Sequence, residues 1–160
     1  MNNDEFIYAV KRNSNRLYLI ALTFTKNHYD AEDIVQNTFL KLMKQNKTFE
    51  SEKHMDNWLT AVCINESKDY LKSFFRKNST SLEDAKELYT FDKPKDFDLF
   101  TAVMSLPKKE RTVIHLFYYE DLSIKEIAVV MKISESSVGT RLHRARKHLK
   151  EILGDEWINE

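Results

Sequence analysis

Apolar residues along this chain recur at steps of three and four, or multiples of these, which is the spacing of one helix face. From Asp4 to about Thr25, the positions Phe6, Val10, Leu17, Ala21 and Phe24 trace such a stripe. Asn27-His28-Tyr29-Asp30 reads as a turn, with Asp30 as the N-cap of a second helix that runs to about Gln45. Glu32 and Asp33 then fall in its first turn, where the helix dipole favours acids. The stretch from Asn46 to Glu52 has no period and is polar except for Phe49, so it reads as a loop. From His54 to about Lys77, the positions Met55, Trp58, Leu59, Val62, Leu71, Phe74 and Phe75 fit a long third helix ending in Lys72, Arg76 and Lys77.

The periodicity lapses at Asn78-Ser79-Thr80-Ser81 and stays absent to Lys93-Pro94-Lys95, with too few apolar residues to form a core. Beyond it, Phe97 to Ser105 is helical, and Pro107 sits near the first turn of a helix with Val113, Ile114, Phe117 and Tyr118 on one side. Two more helices span about Ser123 to Met131 and Ser134 to Leu153. The turn at Met131-Lys132-Ile133 between them has helix-turn-helix spacing. The expected fold is therefore all-α. A three-helix domain at 1–77 and a helix-turn-helix domain at 97–160 are joined by a flexible linker at 78–96.

Composition supports helices, since only two glycines and two prolines occur in 160 residues. Lysine plus arginine and aspartate plus glutamate each number 25, so no global basic field marks a nucleic-acid binder and local charge must decide. A single cysteine, Cys63 between Val62 and Ile64, reads as a buried thiol in a reducing compartment and rules out a cysteine zinc site. Leu17 to Leu22 follows Lys11, Arg12 and Arg16 but is too short for a signal peptide and has no cleavage site. No apolar run approaches the roughly 18 residues of a membrane span. A cytoplasmic protein without membrane insertion is expected.

The last helix carries the clearest chemistry. Val138, Leu142, Ala145, Leu149 and Ile152 share a narrow sector at 100° per residue and should face the core. Ser136, Thr140, His143 and Lys147 then lie opposite, with Arg144 beside them, while Arg141 and Arg146 flank the stripe within reach of phosphates. A solvated basic face is the alternative. Asp30, Glu32 and Asp33 are explained as a helix start, because neighbouring helical positions point apart and no histidine follows at a ligand offset. Phe49 either pins its loop or meets an unstacked base, as does Asn65, which lowers propensity inside its helix. The five histidines show no ligand spacing, and neither a phosphate loop nor a nucleophile-base pair is visible. Neither a metal, a cofactor nor an enzymatic activity is expected. A ligand-sensing helix-turn-helix regulator and a pure protein-interaction module remain as alternatives from the residues alone.

Asp30 to Phe39, Trp58-Leu59 with Asn65 and Asp69-Tyr70-Leu71, and Leu106-Pro107 to Leu149 closely resemble regions two and four of extracytoplasmic-function (ECF) sigma factors of the sigma-70 family. The resemblance implies a non-catalytic initiation factor that binds core RNA polymerase and directs promoter recognition and melting, typically in a stress response. Asp30, Asp33, Gln36, Asn37 and Phe39 match the helix that docks on the β′ coiled coil. Phe49 and Asn65 match positions that hold a flipped base of the minus-ten element, with Lys72, Arg76 and Lys77 along the strand. Ser134, Glu135, Ser136, Thr140, Arg141, His143, Arg144 and Lys147 match the helix that reads the minus-thirty-five element. The β flap of the polymerase and an anti-sigma factor are further implied partners. Gly139 stands where the family often has a basic residue, and Lys132 where glycine is common.

Overall fold

The computed structural model describes residues 1–77 and 97–154, without the side chains of 74–77 and 97. The expected linker lies outside the described residues, as do the side chains of Phe74, Phe75, Arg76 and Lys77. The described residues form seven helices and no strand: α1 (Asn3–Thr25), α2 (His28–Lys44), α3 (Glu52–Lys77), α4 (Phe97–Met104), α5 (Lys108–Tyr118), α6 (Ile124–Met131) and α7 (Glu135–Leu153). They fall into two compact units, one within Met1–Thr90 and one within Phe91–Glu160.

In the first unit α1, α2 and α3 each pack on the other two. Leu17, Ile20, Ala21 and Leu22 are fully buried, so the apolar run that mimics a signal peptide is the centre of this core. Ala31, Ile34 and Leu42 from α2 and Leu59, Cys63 and Ile64 from α3 complete it. Phe6, Val10, Met55, Trp58 and Val62 lie at its partly exposed edge.

Two arginines tie α1 to α3. Arg16 donates to Thr60 Oγ1 at 2.7 Å, to the Asp56 carbonyl at 2.8 Å and to Asn13 Oδ1 at 2.8 Å. Asn13, itself buried, donates back to the Ala9 carbonyl at 2.9 Å. One turn earlier, Arg12 pairs with Asp56 and Glu52, each at 2.9 Å. The hydrogen bond to Asp56 holds the Arg12 guanidinium above its ordinary value, helped by Tyr8. These contacts satisfy polar groups at the edge of a small core, where an unpaired donor would cost about 1–3 kcal/mol.

The N-cap of α2 is Asn27, not Asp30. Asn27 Oδ1 accepts from the Asp30 backbone N–H at 2.9 Å, and the helix begins at His28. Asn27 competes for the cap with an equally good capping side chain and lies directly after Lys26, the left-handed residue that ends α1. Asp30 therefore stands in the first turn, where its charge still faces the positive end of the dipole.

In the second unit α7 packs on α4, α5 and α6. Val138, Leu142, Ala145 and Leu149 are wholly buried, as the stripe predicts. Ile152 is the exception, at 52% exposure, because the stripe outlasts the helices that cover it. Ser123 caps α6 in a capping box with Glu126, and Ser134 caps α7 by accepting from the Ser137 N–H at 3.0 Å. The turn between them is Lys132-Ile133-Ser134, one residue later than the pattern suggested. Lys132 adopts φ 59°, the left-handed conformation usually given to glycine, and its N–H reaches back to the Ala128 and Val129 carbonyls.

Buried His115 stacks on Tyr119 with ring centroids 4.9 Å apart, and its Nδ1 has no hydrogen-bond partner among the described residues. Burial pushes this imidazole down to about 4, from an ordinary 6.5. Because the folded state then binds fewer protons than the unfolded state, stability is full above the unfolded value and is lost as pH falls from 6.5 towards 4. Urea unfolding should show the second unit about 2 kcal/mol less stable at pH 5 than at pH 7 from this residue alone. His115→Leu should remove that part of the pH dependence, and an unaltered pH profile would contradict the assignment.

Candidate nucleic-acid interface

On α7 the buried stripe dictates what faces water. Ser134, Glu135, Ser136, Thr140, His143, Arg144 and Lys147 are all exposed, and Arg141 is partly so. The long side chains of Arg144 and Lys147 thus stand beside the short hydroxyls of Ser136 and Thr140 on one helix face. Thr140 Oγ1 donates to the Ser136 carbonyl at 3.0 Å, which fixes its rotamer. Gly139 has open space where a side chain would stand, so the missing basic residue leaves a gap beside that face.

Arg146 departs from expectation. Its Nε donates to the Tyr118 hydroxyl at 3.0 Å, and its guanidinium lies 5.2 Å from the Phe117 ring centroid and 5.7 Å from that of Tyr118. It is a packing residue that covers the end of α5, not a free phosphate ligand. Tyr118, expected on the apolar side of α5, is 46% exposed and serves as the platform for this arginine.

In the first unit, α2 buries Ala31, Ile34, Thr38, Phe39 and Leu42. Asp33, Gln36 and Asn37 face water together, and Asp30 is partly exposed beside them. Phe39 does not join this group. It is 7% exposed and meets Phe6 of α1 edge to face at 6.5 Å, so it holds the two helices together. The pattern missed Leu40 and Met43, 46% and 60% exposed, which continue the Asp33, Gln36 and Asn37 row at helical steps. Counting steps from Asp33 would have found them. Lys41, paired with Glu66 of α3, lies next to this row.

Phe49 and Asn65 are brought to related places. Phe49 packs edge-on against Trp58 at 5.6 Å and His54 at 5.4 Å. Asn65 stands two turns beyond Trp58 on α3, partly exposed, and its side-chain amide makes no hydrogen bond among the described residues. Phe49 remains partly exposed, so an aromatic face and an amide stand on one side of α3. Lys72 is exposed further along the same helix.

Residues 9–77 match the sigma-70 region 2 family, and residues 97–149 match sigma-70 region 4. The chain is 31% identical to the RNA polymerase sigma factor SigV of Bacillus subtilis over 145 residues, covering 87% of this chain and 85% of that protein. It belongs to the ECF group of the sigma-70 family. The ECF sigma factor SigM of B. subtilis is 29% identical over 86% of this chain and 88% of its own length. The fold matches the sigma factor RpoE of Bartonella quintana, solved in complex with the anti-sigma factor NepR. That match has a TM-score of 0.70 and 22% identity, over 93% of this chain and 96% of the other. CnrH, solved with the cytosolic domain of CnrY, matches with a TM-score of 0.59 and 25% identity, over 95% of this chain and 89% of that one. As a sigma factor, the protein acts in promoter recognition and transcription initiation with core RNA polymerase. No helix among the described residues is long and apolar enough to cross a membrane.

The buried and exposed members of α2 should separate in a stability measurement. Phe39→Ala is expected to lower the unfolding free energy by about 3–5 kcal/mol, whereas Asp33→Ala should stay within about 0.5 kcal/mol of the parent. Equal effects in urea denaturation would mean that Phe39 is not a core residue.

Proposed function

We propose that this sigma factor docks on the β′ coiled coil of core polymerase through the outward row of α2, formed by Asp30, Asp33, Gln36 and Asn37 with Leu40 and Met43. The mixture of acids, amides and two exposed apolar side chains suits a protein partner, because apolar anchors supply burial and the polar rim supplies register. Phe39 supports this surface from beneath. The first domain, 1–77, also captures a flipped base of the melted minus-ten element between Phe49 and Asn65. Lys72, with Arg76 and Lys77 on the same helix, follows the strand backbone. Aromatic stacking and a free amide are what an unstacked base requires.

The second domain, 97–160, lays α7 in the major groove of the minus-thirty-five element. Thr140, His143 and Arg144 face base edges, while Ser134, Ser136, Arg141 and Lys147 meet phosphates. This domain also meets the β flap. Near-neutral overall charge fits a factor whose two weak DNA contacts become strong only when polymerase holds both in register. Such a factor works in the cytoplasm without catalytic chemistry of its own, and an anti-sigma factor, as in the solved complex of RpoE with NepR, is its natural regulator.

The observation that carries this reading is the exposed row on α7 opposite four fully buried residues, in a chain of this family. Arg144→Ala should weaken promoter binding by about 1–3 kcal/mol and leave polymerase binding intact. Asp33→Ala should do the reverse, weakening assembly with core polymerase while leaving duplex binding by the free protein unchanged. Both can be read by titrating labelled promoter and labelled core polymerase. Unchanged promoter affinity for the first variant, or unchanged core affinity for the second, contradicts the corresponding assignment.

A further inference from the structure

We propose that Tyr29, at the start of α2, is a second apolar anchor for the β′ coiled coil of core polymerase, and that His28 is a positioning residue that holds its ring in place. This rests on the reading of α2 as the docking helix and extends it.

The spacing of exposed side chains carries the first half. Tyr29, Asp33, Gln36, Leu40 and Met43 follow one another at steps of four, three, four and three, which is the interval of a coiled-coil seam. Projected at 100° per residue, they occupy about 80° of the helix circumference. The opposite side of α2 holds the buried Ala31, Ile34, Thr38 and Leu42. All five stripe residues are exposed, Tyr29 at 75%, more than any other large apolar side chain among the described residues. A lone exposed ring is ordinary on a protein surface. Tyr29 is not alone, since it stands in register with Leu40 and Met43 and is continuous with the row that contains them.

The two apolar ends divide the work. Leu40 and Met43 lie at one end of the stripe, and Tyr29 lies about 16 Å from Leu40 along the axis. An apolar contact at one end alone leaves a partner helix free to pivot about it. A second contact at the far end fixes the crossing angle as well as the position. A stripe in heptad register suits the long repeating face of a coiled coil, and tyrosine is among the residues that most often dominate such contacts.

His28 explains why the ring is ready. Its Nε2–H donates to the Glu32 carboxylate at 3.0 Å, and its Nδ1 lies 2.8 Å from the Tyr18 hydroxyl, which donates to it in that tautomer. The imidazole is therefore held on both nitrogens, from α1 and from the next turn of α2. It meets the Tyr18 ring edge to face at 5.6 Å and the Tyr29 ring at 5.4 Å. A chain of three rings runs from partly buried Tyr18 out to Tyr29, so the exposed ring rests against a fixed neighbour and loses less freedom on docking.

The test titrates full-length protein with core polymerase. Tyr29→Ala should weaken assembly about 10- to 30-fold, leave the thermal midpoint of the free protein within about 2 °C and leave its duplex binding unaltered. Tyr29→Phe should stay within about 2-fold of the parent, because the ring and not the hydroxyl is the anchor. His28→Ala should weaken assembly about 3-fold, and that effect should vanish in the Tyr29→Ala background, whereas a merely structural role would persist there. With benzoylphenylalanine in place of Tyr29, photocrosslinking should join the chain to the β′ coiled coil. Unaltered assembly of Tyr29→Ala while Asp33→Ala is weakened would overturn the anchor and leave the docking helix standing. If neither variant weakens assembly, the reading of α2 itself fails. A lowered thermal midpoint in Tyr29→Ala, or a crosslink to another part of polymerase or to a second copy of this chain, would also overturn the proposal.

Discussion

Burial of four side chains on α7 constrains the rest of the second unit. Val138, Leu142, Ala145 and Leu149 are removed completely from water by α4, α5 and α6. With about 25 cal/mol for each Å² of apolar surface buried, rotating the helix to expose them would forfeit several kcal/mol. A helix held by one face has no freedom to choose its other face, so Thr140, His143, Arg144 and Lys147 point outward together. The serine caps set where the helix begins and therefore which of these residues occupies its leading turns. Lys132 maintains the sharp turn at the cost of a left-handed backbone, roughly 1–2 kcal/mol for a residue other than glycine. Packing elsewhere in the unit holds it there.

The same logic orders the first unit. Ala31, Ile34, Thr38, Phe39 and Leu42 turn inward, and the row from Asp33 to Met43 turns outward as the remainder. Arg12 and Arg16 then lock α1 to α3, and Lys41 pairs α2 with Glu66 of α3, so that the loop bearing Phe49 begins and ends on helices tied to one another. Phe49 packs on Trp58 but stays partly exposed, a position suited both to pinning its loop and to offering a ring to a base. The structural role and the proposed one coincide there, because a ring that is to meet a partner must first be held still.

What was legible in the sequence was mostly local. Helix periods, the helix starts at Ser123 and Ser134 and the outward face of α7 depend on spacing within one element, and spacing is visible in a string of letters. What escaped notice depends on contacts across elements. Phe39 looks like part of an exposed motif until Phe6 is found against it, and Arg146 looks like a phosphate ligand until Tyr118 and Phe117 are found beneath it. Ile152 continues the apolar period past the end of its packing partners, where period alone cannot show that cover has run out. Asp30 lost the cap to Asn27 because two good capping residues lay three apart and the preceding helix ended just before the first of them. The site followed the same division: the α7 residues were found by projection, while Leu40 and Met43, within reach of the same counting from Asp33, were recognised from their exposure in the fold.

The central claim is that this chain directs core polymerase to promoters through the outward faces of α2 and α7. Mixing the purified protein with bacterial core polymerase and a promoter library, then sequencing the transcripts, tests it most directly. Initiation that depends on the added protein and shares sequence elements about 35 and 10 base pairs upstream is the predicted result. No protein-dependent transcripts from active core polymerase, together with duplex binding by the protein alone, would contradict it.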